Sequence, residues 1–315
     1  MEMVIKMKVI DLTPRGYCHG VLNAMAMVKK VVKTPSYPRP IYILGQIVHN
    51  QKITDAFKAY GVISLDQKSK SRVEMLDDIH EGTVIFTAHG ISKKAIAKAK
   101  EKGLTYLNAT CRDVLKVHHA VEKKLSEGYQ VIYIGHRHHP EPEAILDIDP
   151  SIIFIENEKD ALLLPNDLDG DKIFVTNQTT LSKYDIESVL KIIESKYPNF
   201  IFDNEICNAT LVRQQAVINQ DIVDLMLVVG DKLSSNSNKL VQVSKKAKQI
   251  KSYLISGVED IDLSWLKDIN SVSVTSGAST PTKVTEEVIS FLRQYKKDDP
   301  NTWNHQTKLI NTDVL

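Results

Sequence analysis

Residues 225–238 read LMLVVGDKLSSNSN. Five apolar residues lead into Gly230, and a polar run begins four positions later at Ser234. A short apolar run that ends in glycine predicts a buried strand followed by a loop, and the hydroxyls beyond it are typical of the start of a helix. This order of strand, glycine and polar residue decides the fold, because the chain contains it three times.

The other two copies end in Gly45 and Gly135, and the polar residue four positions later is His49 in one and His139 in the other. In each third of the chain, a later apolar strand ends in threonine and precedes a second polar cluster. The threonines and their polar residues are Thr87 with His89, Thr176 with Thr179, and Thr275 with Ser279. Strands that alternate with amphipathic helices predict α/β units with parallel sheets.

The three cysteines of the chain follow the same repeat. Cys18, Cys111 and Cys207 are separated by 93 and 96 residues, and each third contains one of them. A repeat of this length is too long for a solenoid, and it predicts one small α/β unit used three times. Ligands of open α/β sheets bind beyond the carboxyl ends of the strands. Three such units in a pseudo-threefold trefoil would therefore direct three thiols and the polar loop residues at one central cavity.

The predicted elements and domains follow from this pattern. We predict α/β domains at 8–108, 109–204 and 205–297, and an extended or loosely ordered polar tail at 298–315. The predicted strands are 9–12, 41–44, 83–87, 131–134, 173–176, 225–229 and 272–275. The predicted helices are 21–32, 114–125, 183–195, 210–220, 239–248 and 282–295.

Composition and charge limit the functional classes. The 315 residues are 43% hydrophobic and 25% charged, and the formal net charge of +1 gives no indication of nucleic-acid binding. No apolar run approaches the roughly 20 residues that a membrane span needs, and the first eight residues lack the pattern of a signal peptide. Three cysteines do not form a disulfide framework, so we predict a reducing compartment, the cytoplasm.

The cysteines are candidate metal ligands because each lies at the predicted start of a helix, which favours the thiolate. Soft thiolates select zinc, copper(I) or iron–sulfur clusters, and the chain lacks the C-x-x-C pairs usual in structural zinc sites. Four thiolates usually hold a cubane cluster, so three would leave one iron open to a substrate oxygen. The alternative is that the cysteines are small buried core residues.

The polar residues after the strands suit an anion, because hydroxyls, amides and helix N-terminal N–H groups donate hydrogen bonds and imidazoles add positive charge. The chain has neither a Walker nor a Rossmann glycine motif. A plain helix cap is the alternative for the serine-rich run. The candidate anion-binding residues are His49, His89, Ser234, Ser235, Asn236 and Ser279.

The segment His139-Pro140-Glu141 indicates a source of protons. A glutamate close to a bound anion and a metal cluster would have a raised pKa and act as a general acid. Thr179 and His139 would orient this glutamate or a substrate hydroxyl. The alternative is a polar turn with acidic residues in the first turn of a helix.

Taken together, these motifs resemble the IspH/LytB family, the 4-hydroxy-3-methylbut-2-enyl diphosphate reductases of the non-mevalonate isoprenoid pathway. The resemblance runs in order from about residue 8 to residue 290. The segments that carry it are 14–18, 47–50, 87–90, 109–111, 135–141, 178–182, 234–238 and 277–279.

The resemblance implies three α/β domains around a central 4Fe–4S cluster with three cysteine ligands, Cys18, Cys111 and Cys207, and one open iron. It implies reductive dehydroxylation of the substrate, whose hydroxyl binds the open iron, to isopentenyl and dimethylallyl diphosphates, with Glu141 as proton donor. Electrons would come singly from a donor such as ferredoxin or flavodoxin, and we expect a monomer. The implied diphosphate site is His49, His89, Ser234, Ser235, Asn236 and Ser279, with His139 and Thr179 as further substrate contacts.

Two residues depart from the family pattern. His19 stands where a small or aromatic residue is usual, and Arg112 stands where proline is usual. Arg112 places a cation beside a predicted cluster ligand, where it could shift the reduction potential or contact a redox partner. Two other functional classes stay open, a zinc-dependent hydrolase of a phosphorylated metabolite and a non-catalytic iron–sulfur sensor.

Overall fold

The computed structural model describes residues 7–67 and 69–315, apart from the side chain of Thr312. The prediction for the first eight residues therefore falls mostly outside the described residues. Within these residues the chain forms twelve β-strands and eleven α-helices. Among them, no helix is both long enough and apolar enough to cross a membrane.

The twelve strands form three four-stranded sheets, and every pair of neighbouring strands within the described residues is parallel. The strands are β1 (Lys8–Asp11), β2 (Ile41–Leu44), β3 (Val62–Leu65), β4 (Thr83–Phe86), β5 (Thr105–Asn108), β6 (Gln130–Ile134), β7 (Ile153–Ile155), β8 (Ile173–Asn177), β9 (Ile201–Asp203), β10 (Leu225–Val229), β11 (Ser252–Ile255) and β12 (Ser271–Ser276). The first sheet has the order β3-β2-β4-β5, the second β7-β6-β8-β9 and the third β1-β12-β10-β11.

Helices connect the parallel strands, as the pattern of alternating strands and helices predicts. The helices are α1 (His19–Lys33), α2 (Gln51–Lys58), α3 (Arg72–Met75), α4 (Lys93–Glu101), α5 (Arg112–Ser126), α6 (Pro140–Leu146), α7 (Glu158–Leu162), α8 (Lys183–Lys196), α9 (Asn208–Asn219), α10 (Ser235–Lys248) and α11 (Thr282–Gln294). All six predicted helices are confirmed to within a few residues. The largest difference is at α10, which begins four residues before the predicted start at residue 239.

All seven predicted strands are confirmed, and the five that the prediction missed are β3, β5, β7, β9 and β11. Each missed strand lies at the edge of its sheet. Central strands are buried along their whole length, as in β8 and β10, so their sequences are continuous apolar runs. Edge strands are half exposed and only three or four residues long here, so their apolar signal is weak.

Strand β1 closes the third sheet by pairing with β12, in the register Lys8 with Ser271. Strands β5 and β9 occupy the equivalent edges of the first and second sheets, beside β4 and β8. The predicted boundaries at 108/109 and 204/205 follow these two strands. In contrast, β1 was assigned to the first predicted domain and pairs within the third sheet. Each cysteine therefore follows an edge strand: Cys18 follows β1, Cys111 follows β5 and Cys207 follows β9.

The contacts of the chain divide it into two compact units. The first unit contains the third sheet and comprises the described residues up to Cys18, His49–Ala59 and Asn208–Leu315. The second unit contains the first and second sheets and comprises His19–Val48 and Tyr60–Cys207. The partition into three domains stays a prediction.

The tail at 298–315 packs on the core of the first unit. Val314 is buried, and Trp303, Leu309 and Leu315 pack against the apolar cluster of the third sheet. Lys283 of α11 pairs with Asp313 at 2.9 Å. The tail, predicted to be extended or loosely ordered, is therefore anchored, because a few well-spaced apolar residues pack on the core although the average composition of the segment is polar.

Candidate functional site

The three cysteines occupy equivalent places in the repeated fold. Each directly precedes the first residue of a long helix, as predicted, and each is a half-buried thiol. Each backbone amide also donates to a carbonyl in the loop after the strand that pairs with the edge strand preceding the cysteine. These bonds join Cys18 to Ala278 at 3.1 Å, Cys111 to Ala88 at 3.0 Å and Cys207 to Thr179 at 3.0 Å. Partial exposure and equivalent anchoring favour metal ligands over core residues.

The thiols suit an iron–sulfur centre by donor chemistry, because soft sulfur ligands hold such clusters. Cys18 lies in the first unit, and Cys111 and Cys207 lie in the second. Cys111 is the N-cap residue of α5, where the helix dipole favours its thiolate. The residues present therefore fit the cofactor that the resemblance implies.

Both departures from the family pattern lie beside Cys111. The Nε2 atom of His19 is 3.9 Å from the Cys111 sulfur and 3.6 Å from a carboxylate oxygen of Asp113. Within the described residues, these three side chains form a group whose potential ligand atoms lie within 4.8 Å of one another. The Arg112 side chain is 81% exposed and extends away from the core.

Glu141, the carboxyl of the predicted site, is deeply buried, with 1% of its surface exposed. Its Oε1 atom accepts hydrogen bonds from the Thr179 amide at 2.7 Å and the Tyr133 hydroxyl at 3.2 Å, and its Oε2 atom accepts from the Thr179 hydroxyl at 2.9 Å. Burial raises the pKa of Glu141 to about 7, against the opposing effect of the hydrogen bonds from Thr179 and Tyr133. The carboxyl can therefore hold and release a proton near neutral pH.

Two histidines lie beside this carboxyl in the second unit. His139 caps α6, because its Nδ1 atom accepts a hydrogen bond from the Glu141 amide at 3.2 Å. An accepting Nδ1 places the proton of the neutral ring on Nε2, which makes that atom a donor. The His89 ring meets the His139 ring edge to face at 5.6 Å. His89, predicted with the anion-binding group, thus lies beside the predicted proton source.

The other residues predicted to bind an anion lie together in the first unit, around the start of the 14-residue helix α10. Ser234 caps this helix, and its Oγ atom accepts from the Ser237 amide at 3.3 Å. Asn236 accepts from the Ala278 amide at 3.0 Å, and the Ser279 hydroxyl donates to the His49 carbonyl at 2.9 Å. Ser235 is the first residue of the helix.

This cluster requires glycine at two positions. A Cβ atom at Gly230 would lie 2.2 Å from the Ser237 hydroxyl oxygen, and one at Gly277 would lie 2.0 Å from it. The loops after β10 and β12, which contain these two glycines, therefore both pack against Ser237. Backbone amides, hydroxyls and a side-chain amide converge there, a combination that binds phosphate groups.

The sequence analysis missed three residues that support these groups. Tyr133 donates to Glu141, Ser237 donates to Ser234 at 3.0 Å, and Thr210 accepts from Asn236 at 3.0 Å. Ser237 lies inside the serine-rich run at 234–238, so its position in the sequence already indicated a possible role. Tyr133 and Thr210 lie in ordinary strand and helix patterns, so only the fold identifies them.

Comparisons with known proteins agree with this architecture. A family model described as "LytB protein" matches residues 9–293. A relative from Geobacillus sp. (strain WCH70), named 4-hydroxy-3-methylbut-2-enyl diphosphate reductase, is 48% identical over 305 residues, which cover 96% of each chain. A relative of the same name from Bacillus cytotoxicus is 50% identical over 301 residues, which cover 95% of each chain.

A solved structure is similar over nearly the same length. The structure described as E-1-hydroxy-2-methyl-but-2-enyl-4-diphosphate reductase from Plasmodium falciparum has a TM-score of 0.83 and 32% identity. The similarity covers 96% of this chain and 91% of that chain. The resemblance found in the sequence and the predicted α/β class with three small parallel sheets are thereby confirmed. The chain belongs to the LytB protein family.

Proposed function

We propose that this protein is a 4-hydroxy-3-methylbut-2-enyl diphosphate reductase. The reaction removes the substrate hydroxyl as water, consuming two electrons and two protons, and yields isopentenyl and dimethylallyl diphosphates. Relatives of that name, about half identical to this chain over nearly its full length, support the proposal. The observation that carries it is the buried Glu141 carboxyl, held by Thr179 and Tyr133, in a chain that also has a hydroxyl-rich helix start.

We assign the cofactor ligands to Cys18, Cys111 and Cys207, which would hold a 4Fe–4S cluster with one iron lacking a protein ligand. When bound, the cluster supplies single electrons and a Lewis-acidic iron. The donor chemistry and the equivalent anchoring of the three thiols support this assignment. The electrons would come from a one-electron carrier of the ferredoxin or flavodoxin class. A monomer in the cytoplasm is the proposed form.

The start of α10 is the proposed diphosphate site. Its first turn has no acidic residue, so its amides and hydroxyls are not opposed by a local negative charge. Imidazole groups would add positive charge to balance the diphosphate. The proposed ligands are His49, His89, Ser234, Ser235, Asn236 and Ser279.

Glu141 is the proposed proton donor to the departing oxygen. Its pKa of about 7 leaves a large fraction of the carboxyl protonated at neutral pH. Thr179 orients the carboxyl through two hydrogen bonds. The Nε2–H of His139 would contact the substrate, because Nδ1 accepts from the Glu141 amide. The second proton then adds to either end of the allylic carbons, which accounts for two products.

The test is a single-turnover assay on protein purified without oxygen, with the hydroxymethylbutenyl diphosphate and a chemical reductant. We expect brown protein and both isopentenyl and dimethylallyl diphosphates. Cys→Ser at each of the three positions should lower the iron content and abolish turnover. The matched control is His119→Ala, which removes an exposed potential ligand from α5, the helix that follows Cys111.

Two results would reject the proposal. A colourless zinc protein that hydrolyses a phosphorylated metabolite would favour the hydrolase. A brown protein that binds the diphosphate without converting it would favour the sensor. Normal iron content in any one Cys→Ser variant would remove that cysteine from the ligand set.

A further inference from the structure

Tyr133 is a buried aromatic residue whose hydroxyl meets the predicted proton donor. It lies in the central strand β6, and its backbone is paired with Phe154 of β7 on one side and Thr176 of β8 on the other. The side chain is fully buried, and its hydroxyl donates to Glu141 Oε1 at 3.2 Å. The ring packs close to Gly135, where a Cβ atom would lie 3.1 Å from it.

The two oxygens of Glu141 have different partners. Oε1 accepts from the Thr179 amide, which cannot accept in return, and from the Tyr133 hydroxyl. Oε2 has the Thr179 hydroxyl, which can rotate to accept a hydrogen bond. Two donors thus fill the acceptor positions of Oε1, and the proton of the neutral carboxyl belongs on Oε2.

Tyr133 keeps its hydroxyl proton over the whole pH range in which Glu141 titrates. Burial, followed by the nearby Glu141 charge and their hydrogen bond, raises the pKa of Tyr133 well above its ordinary value. The phenol therefore stays neutral and retains the O–H that it donates to Glu141. Its hydrogen bond strengthens when Glu141 becomes a carboxylate, because bonds to charged acceptors are stronger than bonds to neutral ones.

We propose that Tyr133 is a positioning residue for proton transfer, whose hydroxyl directs the acidic proton to Glu141 Oε2 and stabilises the carboxylate that remains. This inference rests on the proposed role of Glu141 as proton donor. Among the described residues, other titratable groups near α6 include His139, which caps it, His89, on the loop after β4, and the buried His118 of α5, which lies beside Gly90. On α6 itself, Glu143 is paired with Arg72.

The experiment is an infrared titration of the Glu141 carboxyl in the cluster-loaded protein, with the band assigned by its loss in Glu141→Gln. In Tyr133→Phe the carboxylate loses a donor and is less stable, so the carboxyl stays protonated to higher pH. We expect the titration midpoint to rise by about one pH unit, the size that one hydrogen bond to a charged group supplies. The pH at which turnover falls to half on the alkaline side should rise by the same amount.

Tyr197→Phe is the matched control. Tyr197 is also a buried tyrosine of the second unit, but its hydroxyl donates to the Pro165 carbonyl. A purely structural role for Tyr133 predicts that both variants lose stability and neither moves the midpoint. An unmoved midpoint in folded Tyr133→Phe overturns the proposal.

The second variant replaces Tyr133 with 3-fluorotyrosine, which keeps the hydroxyl and makes it a stronger donor. The midpoint should then fall, so this variant tests the proposal even if Tyr133→Phe does not fold. An unchanged midpoint would overturn the proposal here as well. Full turnover by Glu141→Gln would instead reject the role of Glu141 in the reaction, while the infrared midpoint would still report whether Tyr133 controls that carboxyl.

Discussion

The second and third sheets place a helix start at the same point of the repeated unit, four residues after a strand-ending glycine. In the second sheet His139 caps α6, and in the third Ser234 caps α10. The first turn of α6 contains two carboxyls, Glu141 and Glu143, whereas the first turn of α10 contains no acidic residue. One helix start therefore has its own negative groups, and the other leaves its donors for a ligand.

The difference shows how one architecture supports two kinds of chemistry. The backbone supplies the same positive helix end in both sheets. Burial of Glu141 among neutral donors suits it to the proposed role of proton donor, because its pKa rises to about 7. Small hydroxyl and amide side chains at α10, packed against glycine loops, add polar groups beside the helix amides and suit an anion. The side chains of the first helical turn therefore distinguish the two loops.

Loss of the Glu141 proton should produce the largest effect. We expect Glu141→Gln to lower kcat by about 10²- to 10⁴-fold with little change in KM, because a general acid contributes about this much to rate. The substitution keeps the volume and leaves the cysteines untouched, so the cluster absorbance should be unchanged. Steady-state kinetics and absorption spectra measure both quantities.

Glu187→Gln is the control for this experiment, because Glu187 is an exposed carboxyl on α8 in the same unit. It should retain full activity. A Glu141→Gln enzyme with near-normal kcat would show that the second sheet does not supply the proton. The loop after β6 would then not differ in chemical role from the loop after β10 in the way proposed.

The pH dependence of stability should show the next largest effect. The pKa of Glu141 is raised from 4.5 to about 7 in the folded protein, so the folded state binds this proton more tightly than the unfolded state does. The resulting stabilisation is present below pH 4.5 and is lost as the pH rises to about 7. We expect a loss of about 3 kcal/mol across this range, which Glu141→Gln should lack.

Urea unfolding of both proteins at about pH 5 and pH 8 measures this difference. All other titratable groups contribute equally to the pH dependence of stability in the two proteins. Only the difference between the two slopes of unfolding free energy against pH therefore reports on Glu141. Parallel pH profiles would mean that Glu141 titrates in the folded protein as it does in the unfolded chain. The burial of Glu141 would then not be what distinguishes the second sheet.

Substitutions at the third sheet should act on binding and have the smallest effect. We expect Ser234→Ala and Ser279→Ala each to raise KM on the order of tenfold and to change kcat less, because each removes a hydrogen-bond donor to a charged diphosphate. Ser290→Ala, an exposed serine on α11 of the same unit, is the control. A fall in kcat at constant KM would place these hydroxyls in the chemical step instead.

Much of the fold could be predicted because its central strands are buried on both faces. Continuous apolar runs such as those of β8 and β10 identify central strands without knowledge of their neighbours. The cysteine spacing and the strand-end glycines likewise revealed the threefold repeat. Five of the six edge strands were not predicted, because they are short and half exposed and their sequences resemble loops.

Local patterns and motif order in the sequence were enough to establish the repeated α/β class, the helix that follows each cysteine and the family. The folded chain was needed to show that β1 closes the third sheet and that the tail packs on the core of the first unit. Only it brought Tyr133 to Glu141 and His19 to Cys111. Strand pairing and side-chain burial join residues far apart in the chain, and no local pattern contains that information.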